Sequence, residues 1–382
     1  VTEEDPPLRV IVVSHDSFWP LKGGGGLRVY WVVKSLVNRG HDVVVTAPLE
    51  STQGLEDSFP GLNLLNLGKV TRFTRKKEFN YLKLMIKIFT RLWREEADVI
   101  YAHNFVAALP SYLVGRTRGI PLVFDMDDLM TGLSEYKMVS RWAPRLEFLL
   151  ARKTDRLIVM SKALEEEAKK LGAKTSIECI PHGVNLALFK PTEATKDSSI
   201  LFIGGIEKHD GVTLIPLAAK KVISVFPEIK FVIIGQGRDL PLVKKLVVEN
   251  NLTSSFEFQD WVDHEEVPRY VAKARIGLVT HLKSLATDIA LVLKGLEFMA
   301  METPIIVPDL RGMREEVGNN ERGLTFSCGN RDDLAEKIIF LLKRPEMQEQ
   351  MGKNGRMYVE AKHNWMTNAS KIVDVCEKIL SV

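Results

Sequence analysis

Three glycine clusters mark where this chain can admit a ligand close to its backbone. Gly23 to Gly26 lie between an apolar run, Arg9 to Ser14, and an amphipathic stretch from about Leu27 to Asn38; Gly204 and Gly205 follow Ile203, and Gly235 and Gly237 follow Ile234. Glycine has no Cβ, and a helix N-terminus leaves N–H groups without partners, so loops of this kind at strand ends suit phosphate. Gly24, Gly25, Gly204 and Gly235 are the binding candidates from these clusters. The glycines at 23–26 are contiguous and no acidic ribose residue follows at the expected distance, so the spacing is not that of a nicotinamide dinucleotide site. Carboxylates gather after another apolar run, at Asp125, Asp127 and Asp128. Acid–base chemistry and plain turn chemistry are both open readings there. Lys294 lies three residues before Glu297, which puts both on one helical face.

The elements that must position these residues alternate. Short β-branched runs at Asp42–Thr46, Val99–Ala102, Leu122–Phe124 and Leu157–Met160 are separated by helical stretches. That rhythm predicts a mostly parallel sheet covered on both faces. After Gly183 a polar stretch containing Pro191 intervenes, and the rhythm restarts at Ile200–Ile203, Lys230–Ile234, Phe256–Phe258, Ile276–Val279, Pro304–Val307 and Leu324–Phe326. The fold class expected is α/β, with two Rossmann-like doubly wound domains facing a central cleft. The domains are placed at 1–186 and at 187–364.

At 382 residues, two cores are the reasonable expectation. Hydrophobic residues at 45% and charged residues at 26% are ordinary for a globular chain, which argues against disorder and against a membrane-embedded protein. A formal net charge of +3 is too small to imply nucleic acid, and no recognised binding module accompanies it. Cys179, Cys328 and Cys376 show neither zinc nor disulfide spacing, so a reducing, cytoplasmic compartment fits. Val1 to Pro7 do not read as a signal peptide.

One stretch departs from the average. Between Lys69 and Arg94 nine cations stand against a single acid, Glu78, with Leu82, Leu84, Met85, Ile88, Phe89 and Leu92 interleaved. Two readings follow: a basic amphipathic helix resting on an anionic membrane at the inner face of the cell, or a surface helix packing its apolar face on the first domain.

In order along the chain, the segments Arg39-Gly40-His41-Asp42-Val43, Asp155 to Ser161, Ile180-Pro181-His182-Gly183-Val184-Asn185, Leu296-Glu297-Phe298-Met299-Ala300 and Asp309 to Glu315 resemble the retaining glycosyltransferases of family 4, which have the GT-B fold. The resemblance implies a nucleoside-diphosphate sugar as donor in the second domain, a glycan or lipid-linked acceptor at the first, no metal and no further cofactor. It also implies that the final helix, residues 365–382, returns to join the first domain at 1–186. Glu297 matches the family's ribose-binding glutamate. The partner glutamate would fall at Ile289, and the closest acid, Asp288, also reads as the N-cap of a helix starting there. Relatives carry an arginine and a lysine where this chain has Gly205 and Asp210, so Lys208 and Lys294 are the candidates for meeting the diphosphate. Asp127 stands at the family's functional histidine, and His103 resembles another histidine lining the cleft; these two are the catalytic candidates. Two rival functions remain: a degenerate sugar- or nucleotide-binding protein, and more distantly a sugar-nucleotide epimerase on the same scaffold.

Overall fold

The computed structural model describes residues 6–21, 23–68, 77–127, 129, 137–173, 175–192 and 196–380, with backbone alone at 23, 77–79 and 137–143. It divides into two compact units, residues 1–181 with 366–382, and residues 182–365. The division falls a few residues ahead of the boundary read from the sequence, because Val184 N bonds to His363 O at 2.6 Å and Gly183 lies against Trp365.

The first unit is built on a seven-stranded parallel sheet: β1 (Arg9–Ser14), β2 (Asp42–Ala47), β3 (Asn63–Asn66), β4 (Val99–His103), β5 (Leu122–Met126), β6 (Arg156–Val159) and β7 (Ile177–Cys179). The strand order is β3-β2-β1-β4-β5-β6-β7, so the chain reverses direction across the sheet between β1 and β4. Val10, Val12, Val45, Tyr101, Val123 and Ile158 fill a core closed on one side by Val29, Val32, Val33 and Leu36 of the Gly23–Asn38 helix. Ile372, Val373, Cys376 and Ile379 of the Trp365–Lys378 helix and its end complete that same core. Arg39 fastens this last helix from outside, bonding to Asp374 at 2.6 Å and Glu377 at 2.7 Å, while His41 meets Glu377 at 3.0 Å.

The second unit repeats the plan with six parallel strands, β8 (Ser199–Ile203), β9 (Lys230–Ile234), β10 (Phe256–Gln259), β11 (Ala274–Leu278), β12 (Ile305–Pro308) and β13 (Gly323–Phe326), in the order β10-β9-β8-β11-β12-β13. Ile200, Phe202, Phe231, Ile233, Ile276, Leu278 and Ile306 form its core with the helices Leu214–Val225 and Arg331–Leu342. Both sheets are buried on two faces, and their strands are accordingly near-continuous apolar runs.

Three details correct the sequence reading. Strands β3 and β7 fall outside the pattern of apolar runs; each is short, and Asn63, Asn66, Glu178 and Cys179 on them are exposed, so neither carries the signature of a buried strand. The first helix begins at Gly23, so the glycines form its opening turn rather than a loop before Leu27. Asp288 does not cap its own helix: Ser284 caps the Leu285–Ile289 helix, its hydroxyl accepting from Thr287 N at 3.1 Å.

Candidate functional site

Each unit gathers its polar side chains at the carboxyl ends of its strands, where an open parallel sheet offers backbone and side chains to a ligand. In the first unit the β1 end, the β4 end and the β5 end meet the Gly23–Asn38 helix. His103 closes β4 and is paired in register with Asp125 on β5. Arg28 is fully buried and forks onto Asp125, with Nε at 2.6 Å from Oδ2 and Nη2 at 2.9 Å from Oδ1, while Nη2 also donates to Ile180 O at 2.9 Å. Tyr101 donates its hydroxyl to the same carboxylate. Burial opposes the charge on Asp125, yet Arg28 and His103 outweigh it and hold the carboxyl below its usual range. Asp125 is therefore committed to structure.

Asp127, the next carboxylate along, is 2% exposed and is positioned by Asn104, whose side-chain oxygen accepts from Asp127 N at 3.2 Å. His103 Nε2 stands 3.7 Å from Asp127 Oδ2 and 3.9 Å from Asp16 Oδ2, with Nδ1 3.6 Å from Asp125 Oδ2. Burial favours the neutral imidazole, but Asp125, Asp127 and Asp16 together raise the His103 pKa above its ordinary value. The structure thus brings both catalytic candidates, Asp127 and His103, into one cluster. Gly25 makes the cluster possible: a Cβ there would lie 2.2 Å from Asp16 Oδ2 and 3.1 Å from His103 Nε2. Gly24 precedes it in the same helical turn. Asp128 lies outside the described residues.

In the second unit the loops after β8 and β9 touch. Gly204 has φ +135 and Gly235 φ +139, and a Cβ on Gly235 would meet Gly204 O at 1.9 Å, so only glycine permits the approach. The Lys294 ammonium comes within 2.8 Å of where a Gly204 Cβ would stand and lies 4.4 Å from the centre of the Phe202 ring. Burial lowers the Lys294 pKa, with Asp210 and Glu297 pulling against it. Asp210 is the residue that most reshapes this cluster. Its carboxylate is 4.0 Å from Lys294 Nζ, 3.3 Å from His281 Nε2 and 3.7 Å from His209 Nε2. Burial would raise it, but His281, Lys294 and His209 hold it well below the usual carboxylate range. Lys208, two residues before, is exposed.

Glu297 sits one turn after Lys294 in the Leu293–Ala300 helix, 6% exposed, its Oε1 2.6 Å from His264 Nε2. Asp288 is engaged elsewhere: it pairs with Arg311 Nε at 2.7 Å and accepts from Arg311 N at 3.2 Å, capping the Arg311–Val317 helix. Lys294, Gly204, Gly235 and Asp210 are thus one cluster, Glu297 with His264 adjoins it on the same helix, and Asp288 is bound to a neighbouring one.

Residues 185–358 match the family described as Glycosyl transferases group 1, and residues 22–188 match Glycosyltransferase Family 4. The chain belongs to the family 4, group 1 glycosyltransferases. Glycogen synthase of Mycobacterium tuberculosis is 23% identical, aligned over 96% of this chain and 94% of its own. Alpha-monoglucosyldiacylglycerol synthase of Acholeplasma laidlawii is 24% identical over 92% of both. Among solved structures, sucrose-phosphate synthase from Thermosynechococcus elongatus superposes with a TM-score of 0.84 at 18% identity, over 98% of this chain and 99% of its own. Anabaena HepE, solved in complex with UDP-glucose, gives 0.79 at 14% identity, over 97% and 100%. Likeness at these identities shows the fold, which is GT-B.

Reading the sequence of this glycosyltransferase misses Asp16, Arg28, His264 and His281. Arg28 carries a signal, since it stands between Leu27 and Val29 and close to Val32 on what must be a buried helix. The other three have no local mark: His264, for example, reaches Glu297 from 33 residues away.

Proposed function

We propose that this glycosyltransferase moves a sugar from a nucleoside diphosphate to a glycan or lipid-linked acceptor with retention at the anomeric carbon. The observation that carries the donor reading is the Lys294 ammonium set against the glycine loop at Gly204, with the buried Glu297 one helical turn away. A diphosphate at that loop would meet backbone N–H groups and a cation, and the exposed Lys208, four residues after Gly204, is the candidate for a second positive charge. Glu297, oriented by His264, suits the paired hydroxyls of a ribose. In the first unit Asp127 and His103 are the groups to meet the acceptor hydroxyl, Asp127 as proton acceptor and His103 as the charged neighbour that holds it in place. HepE has been solved with UDP-glucose, which supports a uridine nucleotide as the first donor to try.

A lipid-linked acceptor draws support from the Lys77–Leu92 helix. Leu84, Ile88 and Leu92 pack inward, whereas Leu82 and Ile86 are 54% and 57% exposed, and Trp93 just beyond is 48% exposed, among the cations Lys83, Lys87, Arg91 and Arg94. Leu82 is therefore not on the packed face where the sequence pattern puts it. Residues 69–76 of the basic stretch lie outside the described residues. Among the described residues no helix is long and apolar enough to cross a membrane, so attachment would be interfacial. Relatives named for lipid products, such as alpha-monoglucosyldiacylglycerol synthase, agree with this direction.

Asp210 favours a second reading, a nucleotide-binding protein without turnover, because its charge offsets Lys294. One experiment separates the two. UDP- and GDP-sugars are incubated with the enzyme and with vesicles containing anionic glycolipid acceptors, and both sugar transfer and donor hydrolysis are followed by mass spectrometry. Transfer supports the enzyme reading; thermal stabilisation by a nucleotide with neither transfer nor hydrolysis supports the binder. No stabilisation by any nucleotide sugar would overturn both.

A further inference from the structure

The helix that carries Lys294 and Glu297 starts on a buried acid from another helix. Glu316, in the last turn of the Arg311–Val317 helix, is 0% exposed. Its Oε1 accepts from Val292 N at 2.5 Å, and Val292 is the residue that opens the Leu293–Ala300 helix. Its Oε2 is buried with no hydrogen-bond partner among the described residues. Gly295 completes the contact, since a Cβ there would stand 2.5 Å from Oε2. The Arg311–Val317 helix is fixed in turn at its other end, where Asp288 caps Arg311 N and Gly312 lies so close to Ala290 that a Cβ would be 2.1 Å from its carbonyl oxygen. The segment from Ser284 to Glu297 is thus held to one short helix at both ends of that helix.

We propose that Glu316 is a positioning residue for sugar-nucleotide binding: through Val292 it sets the start of the Leu293–Ala300 helix, and so where the Lys294 ammonium and the Glu297 carboxylate stand. The assignment of Lys294 and Glu297 to the donor rests on the function proposed above; the placement of their helix by Glu316 does not. Helix N-termini are held by side-chain acceptors, and one that supplies a single oxygen from a neighbouring helix ties the two together. The unpartnered Oε2 points to a group kept for its single acceptor rather than for a network. An amide in its place preserves that acceptor.

The test compares Glu316→Gln, which keeps an oxygen for Val292 N, with Glu316→Ala, which removes it. Hydrogen–deuterium exchange is read across residues 292–296, and UDP affinity is measured by titration calorimetry. In Glu316→Ala, exchange in that segment should rise by about tenfold or more while β8 and β9 are unchanged, and UDP should bind about fivefold or more weakly. Glu316→Gln should restore both to within about twofold, the rescue that a merely space-filling role would not require. Unchanged exchange in Glu316→Ala overturns the positioning, as does a Glu316→Gln variant that loses protection to the same extent. Faster exchange with unaltered UDP affinity overturns the link to the donor. If the unmutated protein binds no UDP or GDP while exchange responds as stated, the donor reading falls and the positioning of the helix stands.

Discussion

Lys294 is the group whose removal should be felt most by a diphosphate, and Asp210 the group whose removal should help one. A charge-assisted hydrogen bond to phosphate contributes about 1.5–3 kcal/mol, or roughly 10- to 150-fold in affinity. Asp210 competes for the same ammonium: two unit charges 4.0 Å apart attract by about 4 kcal/mol in surroundings of effective dielectric near 20, before desolvation is subtracted. Lys294→Met should therefore weaken UDP binding toward the lower end of that range, about 10- to 30-fold, because the lysine enters the complex already partly neutralised. Asp210→Asn should do the opposite, strengthening UDP binding by about three- to tenfold, since an amide leaves Lys294 its full charge and still accepts from Glu207 N, now bonded at 3.0 Å. Calorimetric titration of UDP and UMP at pH 7 reads both effects, and the gain in Asp210→Asn should be larger for the diphosphate. Binding within twofold of the unmutated protein in Lys294→Met would refute the reasoning, and so would weaker UDP binding in Asp210→Asn.

Arg28→Met should destabilise the first unit by about 3–5 kcal/mol, because it takes the two-point guanidinium away from the buried Asp125 carboxylate and leaves it to Tyr101 and His103. Urea denaturation measures this, and a loss below about 1 kcal/mol would contradict it. Gly25→Ala forces a methyl group into Asp16 beside His103, so sugar transfer should fall by about tenfold or more with far-UV circular dichroism unchanged; full activity would show that the cluster is not used. Burial, against the Val292 N–H bond, with Glu315 adding and Arg322 opposing, pushes the Glu316 carboxyl up to about 8. The stability it lends is fully present below pH 4.5 and is lost as pH rises through about 8, with a ceiling of about 5 kcal/mol. Urea midpoints at pH 6 and pH 9 should accordingly move in favour of Glu316→Gln at the higher pH, and a gap that does not change with pH would reject the protonated acid. Substituting serine at Leu82, Ile86 and Trp93 should reduce co-sedimentation with anionic liposomes by about tenfold; equal binding would remove this helix as the contact.

The sequence made the sheets legible because strands buried on both faces must be apolar along their length, as at Val10–Val13 and Ile200–Ile203. The same logic hid β3 and β7, whose exposed asparagine, glutamate and cysteine residues carry no such pattern. The family resemblance singled out Glu297, and three residues of helix put Lys294 on the same face whatever surrounds it. Neither showed what meets that face. His264, His281 and Asp210 converge there through strand ends and turns far apart in the chain, and no local rule of spacing records such a meeting. Asp288 shows the converse: an acid near a predicted helix start reads as the cap of its own helix, whereas the hydroxyl of Ser284 caps that one and Asp288 serves the next.

The helix fastened by Arg39 and His41 has a bearing on how the polypeptide is made. Ile372, Val373, Cys376 and Ile379 belong to the core of the first unit, and all of residues 182–365 are translated between that helix and the rest of its unit. The unit that begins first is consequently the one that closes last. During synthesis β8 to β13 and their helices leave the ribosome ahead of the sequence that seals β1 and β2. A chain that ended at residue 365 would carry every residue of the second unit and a first one still lacking part of its interior, leaving apolar surface for a chaperone to bind.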